Sequence, residues 1–446
     1  MLQGLPDFSM TSIVKTTHPQ DCKLEKTNYN VWSVFCLSNG IVKLYLAPQL
    51  GGRAIQIKLG DHPYLFVNKD LSGRVLPEEE NNRKAGWANY GGDKVWPGPE
   101  GWTSDQEWPS IPYYILDGAP HKGEVMSDRP EKVAFRMTSP RDPRTGIQFE
   151  RTFILERGST RIKVNEVMRN VSRRKVRWGI WHATQHEAAD YNDSTKPNPE
   201  LFAYAPLNPK SMHERGYYVI FGGPDHPSFK TQKERRILQV HYLYRVAKVG
   251  VDASLGWLAV VNGQLKYAFV ETFPYYPKRS YPDDAPVEFW NNGPGTISRG
   301  PFDQVFPNDR SQTPYFFESE VLSPYAELEP SEEYEFCVSW WLARSKNPIH
   351  DVVWAGVVSS PLSVSIDGKH VTLRGSFGVF HLGIVEVTFY SREGELLSRS
   401  NLMAANPEKL VDLRKTVALP EGAYRVTIGV RDADDESRGV LGDVIL

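Results

Sequence analysis

Glu318 and Glu320 stand two residues apart in a stretch of strand character, Tyr315 to Leu322. Their side chains therefore leave the backbone on one face. Two carboxylates among Phe316, Phe317 and Val321 are costly if buried without partners, so they face either solvent or a polar cleft. Placed this close, one holds its proton to higher pH than the other, which suits a group that passes protons. His182, between Trp181 and Ala183, is the first candidate for an acid, because an imidazole titrates near neutrality. A carboxylate and an imidazole facing each other across a cleft can supply a base and an acid near neutral pH. His186 points the same way four residues further on. His182 and His186 with Glu318 or Glu320 also form a conceivable divalent-metal set, but the spacing fits no tight metal signature, and neither metal nor cofactor is expected.

The residues expected to hold a substrate are Arg53, Asp93, Lys94, Trp96, Glu100 and Trp102, together with His186. Indole rings stack on the C–H faces of a sugar, while charged and amide side chains fork onto its hydroxyls. Of the twelve tryptophans, Trp87, Trp96, Trp102 and Trp108 fall in one Gly- and Pro-rich segment, which favours a binding loop over core filling. Each has a plainer role: a surface ion pair for Arg53, a turn for Asp93 and Lys94, a hydrophobic plug for the tryptophans, a core hydrogen bond for His182. His121, His241, Lys248 and Arg279 are weaker choices.

Composition excludes several classes. A net charge of −2 gives no electrostatic case for nucleic acid or an anionic membrane. No apolar run reaches transmembrane length, and the first residues lack a signal-peptide pattern. Three cysteines, Cys22, Cys36 and Cys337, fit a reducing compartment, so the expected location is cytoplasmic. No nucleophile elbow, P-loop or dinucleotide fingerprint occurs.

The elements that must position these residues are strands. Lys132 to Thr138, Ile147 to Glu156, Arg161 to Asn170 and Val176 to Gln185 alternate apolar and polar residues, and similar stretches continue to Ala343. Asn81 to Pro120 and Tyr191 to Pro227 are expected to be long functional loops. The predicted fold class is all-β, a large twisted antiparallel sandwich plus a small immunoglobulin-like sandwich. Residues 1–345 are expected to form the sugar-binding domain and residues 346–446 the accessory one.

The order of motifs carries a resemblance. Leu46-Ala47-Pro48-Gln49-Leu50-Gly51-Gly52-Arg53, then Asn89-Tyr90-Gly91-Gly92-Asp93-Lys94-Val95-Trp96-Pro97, then Trp181-His182-Ala183-Thr184-Gln185, and finally Val287-Glu288-Phe289-Trp290 with Glu318-Ser319-Glu320 resemble the galactose-mutarotase-like superfamily over roughly residues 30 to 345. The combination looks most like its bacterial branch described as domain of unknown function 4380. The resemblance implies a supersandwich with a sugar in its concave face, a histidine acid at His182 and a carboxylate base at Glu318 or Glu320. One departure stands out: Asn89-Tyr90-Gly91-Gly92 has no histidine where mutarotases carry a second one, which points toward a modified sugar or an oligosaccharide, or toward a site without turnover. The expected function is cofactor-free, epimerase-like chemistry on a carbohydrate ligand. The alternatives are a non-catalytic sugar-binding protein, a lyase or hydrolase acting on a uronate or oligosaccharide, and a scaffold.

Overall fold

The computed structural model of the chain describes residues 19–82, 84–101, 104, 106–109, 112–299 and 302–446. Trp102 lies outside them. Strands dominate the described residues, as expected, and every strand pairing is antiparallel or an isolated bridge. A twelve-stranded sheet and a ten-stranded sheet face each other. The strands Asp93–Gly98, Val176–Glu187, Phe316–Leu322, Val287–Asn291 and Ala247–Val251 run side by side through the middle of the larger sheet. The smaller sheet brings Ile147–Glu156, Ile162–Asn170, Glu333–Arg344 and Tyr267–Thr272 against them. Between the two lies one apolar core containing Leu44, Ile57, Phe135, Phe153, Val164, Val321 and Trp340.

Alternation explains which residues enter that core. Along Ile147–Glu156 the buried positions are Ile147, Phe149, Arg151, Phe153 and Leu155. The period-2 pattern thus buries a charged residue, Arg151, among apolar ones. The five central strands of the large sheet are buried on both faces, which means that their outer face is also covered or folded into a cleft.

Both Gly-Gly turns are sterically required. Gly51 has φ 64°, and a Cβ there would sit 1.6 Å from the Asp117 carbonyl oxygen. Gly92 has φ 75°, and its Cβ would meet the Ala54 carbonyl at 2.6 Å. These close approaches press the Arg53 strand onto the Asp93–Gly98 strand.

Two stretches expected as loops contain sheet strands. Asp93–Gly98 is fully buried and pairs with Val176–Glu187, and Leu201–Pro206 and Tyr217–Phe221 occupy the other stretch. Pro and Gly masked them in the sequence, yet their backbones complete ladders with neighbours distant in the chain.

Residues 351–445 form two four-stranded sheets enclosing a second core, with Val371, Leu373, Phe377, Val387, Phe389 and Ile428. A third cluster, including Trp341, Ile349, Val357 and Phe380, joins them to the ten-stranded sheet.

Candidate functional site

The pairing register sorts the candidate residues onto two faces. Across the large sheet, Lys94 lies opposite Ala183, Ala183 opposite Glu320, and Glu320 opposite Glu288. The next row on that face runs from Gln185 to Glu318 to Trp290 to Lys248. Directly opposed residues in an antiparallel ladder share a face. His182 lies opposite Val95 and Val321, and Thr184 opposite Asp93 and Ser319, so these belong to the other face. The expectation that His182 and a glutamate confront each other across a cleft is therefore corrected: the sheet itself stands between them. The same register separates His186 from Glu318 and Glu320, so the conceivable metal set is not assembled.

The outer face carries a cleft of about 430 Å³. Its aromatic walls are Trp87, Trp96, Trp181, Trp290, Phe306 and Phe316, and Glu100, Glu318, Glu320 and Lys248 line it as well. Lys248 is buried, with Nζ 2.7 Å from Glu288 Oε2, 3.0 Å from Glu320 Oε2 and 3.3 Å from Glu100 Oε2. Burial opposes its charge, but Glu288, Glu320 and Glu100 outweigh that and raise its pKa well above the usual lysine value. Burial in turn raises both Glu288 and Glu320 against the pull of Lys248, Glu288 strongly. The protonated carboxyl is thus favoured at Glu288 and Glu320 relative to a free glutamate. Trp181 Nε1 donates to Glu320 Oε2 at 2.7 Å, whereas Glu320 Oε1 has no hydrogen-bond partner among the described residues. Beside this group, Lys94 Nζ and Gln185 Nε2 each donate to Glu318 Oε1 at 2.8 Å. Lys94 also lies 4.5 Å from the Trp96 ring centroid.

Arg53 is not a substrate contact. It is fully buried, and its Nη2 donates to Asp117 Oδ1 at 2.8 Å. Asp117 in turn accepts Trp96 Nε1 at 3.0 Å and Trp87 Nε1 at 2.8 Å. The Arg53–Asp117 pair therefore fixes two indoles of the cleft wall from behind.

The inner face holds a second charged group, closed within the sandwich. His182 Nδ1 is 2.8 Å from Glu166 Oε1, and Nε2 is 3.0 Å from Asp93 Oδ2 and 3.4 Å from Glu271 Oε2. Arg151 bonds Glu166 at 2.9 Å and also pairs with Asp93. All five residues are at most 1% exposed. Burial works to lower His182, but Asp93 and Glu166 overcome it and raise its pKa to about 9. Doubly protonated, it donates to Asp93 and Glu166; Trp340 Nε1, 3.1 Å from Nε2, donates to that nitrogen in the form that carries no proton there. Burial raises Glu271 to about 7, while His182 and Arg151 outweigh burial at Glu166 and hold it low. Two cations thus face Asp93 and Glu166, with Glu271 carrying a proton up to neutrality. His186 is buried and neutral, its pKa lowered by burial to about 3, with Nε2 2.8 Å from Ser319 Oγ. Asp93, His182 and His186 therefore belong to the interior and not to the cleft.

Of the sequence candidates, Trp96, Glu100, Glu318 and Glu320 line the cleft, and Lys94 is buried beside Glu318. The sequence reading undervalued Lys248 and passed over Glu288, Trp181, Trp290 and Asp117. A charged residue two positions before a tryptophan, as in Glu288-Phe289-Trp290, was the available signal.

No curated protein matches the chain. Similar solved structures include a galactose mutarotase-like protein from Clostridium acetobutylicum, 9% identical, with TM-score 0.44, covering 73% of this chain and 99% of that one. A galactose mutarotase related enzyme from Lactobacillus acidophilus is 11% identical, with TM-score 0.42 and coverage of 70% and 98%. The Slr1438 protein from Synechocystis sp. PCC 6803 is 8% identical, with TM-score 0.43 and coverage of 76% and 100%. Residues 33–192, which supply Trp96, Glu100 and Trp181 to the cleft, match the model of the family described as Domain of unknown function (DUF4380), as the sequence motifs led us to expect.

Proposed function

We propose that the chain binds a neutral carbohydrate in the outer cleft and moves protons on it with carboxyl groups alone. The observation that carries this reading is the ring of indoles around the adjacent carboxyl groups of Glu318 and Glu320. Trp87 and Trp290 are half-exposed and offer stacking surface. Glu318, held by Lys94 and Gln185, takes the proton of the anomeric hydroxyl. Glu320, whose burial favours the protonated form, gives a proton to the ring oxygen as the C1–O5 bond breaks. Reversal on the other face of the carbonyl returns both protons and yields the other anomer. A uronate fits less well. Lys94 and Lys248 are both engaged by glutamates, so neither ammonium group is left over for a ligand carboxylate.

A binding protein without turnover is the second reading. It is favoured by the burial of Glu288 and Glu320 against Lys248 and by the absence of a histidine among the residues lining the cleft. Anomer exchange followed by NMR on neutral mono- and oligosaccharides separates the two. Turnover that falls at least a hundredfold in Glu320→Gln, with binding retained, supports proton transfer. Binding without exchange leaves only the second reading, and no binding to any sugar removes both.

A further inference from the structure

A second cavity, of about 450 Å³, opens at the end of the sandwich. It and the cleft share Asn68 and Pro314 as lining residues, and Phe66 on its side packs against Phe316 on the other, with ring centroids 5.3 Å apart. The two spaces therefore meet along one rim.

The second cavity has the attributes of a sugar subsite. Tyr191 lines it and is 68% exposed, which offers a ring face at the mouth. Deeper in, Tyr64 is 7% exposed, lines the cavity, and its hydroxyl has no hydrogen-bond partner among the described residues. An unpaired buried hydroxyl is expensive unless something pairs with it. His186 also lines the cavity. With the Glu271 proton on Oε2, Ser319 donates its one hydroxyl proton to Glu271 Oε1 at 2.6 Å and accepts from His186 Nε2–H. In that tautomer His186 Nδ1 is an acceptor, suited to a hydroxyl donor in the cavity. One donor-acceptor hydroxyl, one imidazole acceptor and an aromatic ring at the mouth match a hydroxylated ring better than an ion.

We propose that this cavity is a second subsite for the carbohydrate of the cleft, and that the ligand is an oligosaccharide laid across the Asn68–Pro314 rim. The inference rests on the reading that the cleft takes a neutral sugar, and it adds the ligand's length and direction.

The test is calorimetric titration with α-1,4- and β-1,4-linked glucose and galactose oligomers of one to four units, on the wild-type chain, Tyr191→Ala, Tyr64→Phe and Trp290→Ala. Affinity is expected to rise at least tenfold from one unit to three. Tyr191→Ala and Tyr64→Phe should each cut that gain by threefold or more. Tyr64→Phe removes an unpaired hydroxyl, so its melting temperature should not fall, which guards against misfolding as the cause. If single units bind and Trp290→Ala weakens them, while added units bring no gain or Tyr191→Ala and Tyr64→Phe leave the gain intact, the second subsite is overturned and the cleft reading survives. If no oligomer of any length binds, both fall together.

Discussion

His182 and Glu320 lie one register step apart on neighbouring strands and point to opposite sides of the sheet: Glu320 pairs with Ala183, and His182 pairs with Val321. The period of two that puts Glu318 and Glu320 on one face excludes His182 from it. The histidine that best fits an acid by sequence thus sits inside the sandwich among Asp93, Glu166 and Glu271, and the proposed proton transfer in the cleft is left to carboxyl groups.

His182→Ala should therefore unfold the chain more readily without emptying the cleft. Removing one member of a buried ion cluster leaves Asp93 and Glu166 short of a counter-charge, at a cost of about 3–5 kcal/mol. Urea denaturation measures that loss. Sugar affinity, measured where the variant is still folded, should stay within about threefold; a hundredfold loss of affinity in a folded variant would return His182 to the site.

The same cluster sets a pH dependence. Glu271 titrates near 7 in the folded chain against 4.5 without the fold, and His182 near 9 against 6.5. Both folded values are raised, so the folded state binds more protons and stability falls as pH rises. Glu271, facing His182, Ser319, Asp93 and Glu166, contributes a loss between about pH 4.5 and 7; His182, facing Asp93, Glu166 and Glu271, contributes one between about 6.5 and 9. Because His62, His121 and His186, held neutral by burial, push the whole-chain profile the other way below about pH 6.5, the readout is the comparison of two urea melts: the stability of wild type relative to Glu271→Gln should fall between about pH 5 and 7 and level off above. A difference that does not change with pH contradicts the assignment.

Much of this was legible in the sequence, and the failures have physical causes. Strands such as Lys132–Thr138 and Ile147–Glu156 declare themselves by alternation. Arg151 and Glu166 occupy inward positions of alternating strands, a visible signal of a buried ion pair that was not used. Asp93–Gly98 was hidden because Pro97 and the preceding glycines mimic a loop, while its partner strand lies more than 80 residues away in the chain. Facing could not be assigned either. The spacing of Glu318 and Glu320 is internal to one strand, but their relation to His182 depends on the register between two.

Asp117 offers a test of positioning. It is buried and touches no space in the cleft, yet it accepts both Trp87 Nε1 and Trp96 Nε1 and pairs with Arg53. Asp117→Asn keeps the shape but weakens the ion pair and one or both indole bonds. Sugar affinity should fall about three- to tenfold, accompanied by a change in tryptophan fluorescence of the free protein. Unchanged fluorescence with unchanged affinity would show that packing alone holds the indoles.

Lys248 is the residue on which the cleft's charge balance turns. Glu288, Glu320 and Glu100 all converge on its ammonium group, and Glu288 and Glu320 are directly opposed across strands. In Lys248→Met the stem is replaced by similar apolar volume, but the counter-charge is gone. Glu288 and Glu320, already raised by burial, then lose the Lys248 ammonium that lowers them, so their folded pKa values rise further. Raised folded values mean that stability is kept at low pH, where both are protonated, and is lost as pH climbs above the unfolded carboxylate range. The variant should lie close to wild type at pH 5 and be several kcal/mol less stable at pH 8, on the order expected for a buried charge left unpaired. Denaturation at the two pH values decides the matter. An equal loss at both would mean that Lys248 acts through packing, and that the carboxyl groups around it do not depend on its charge.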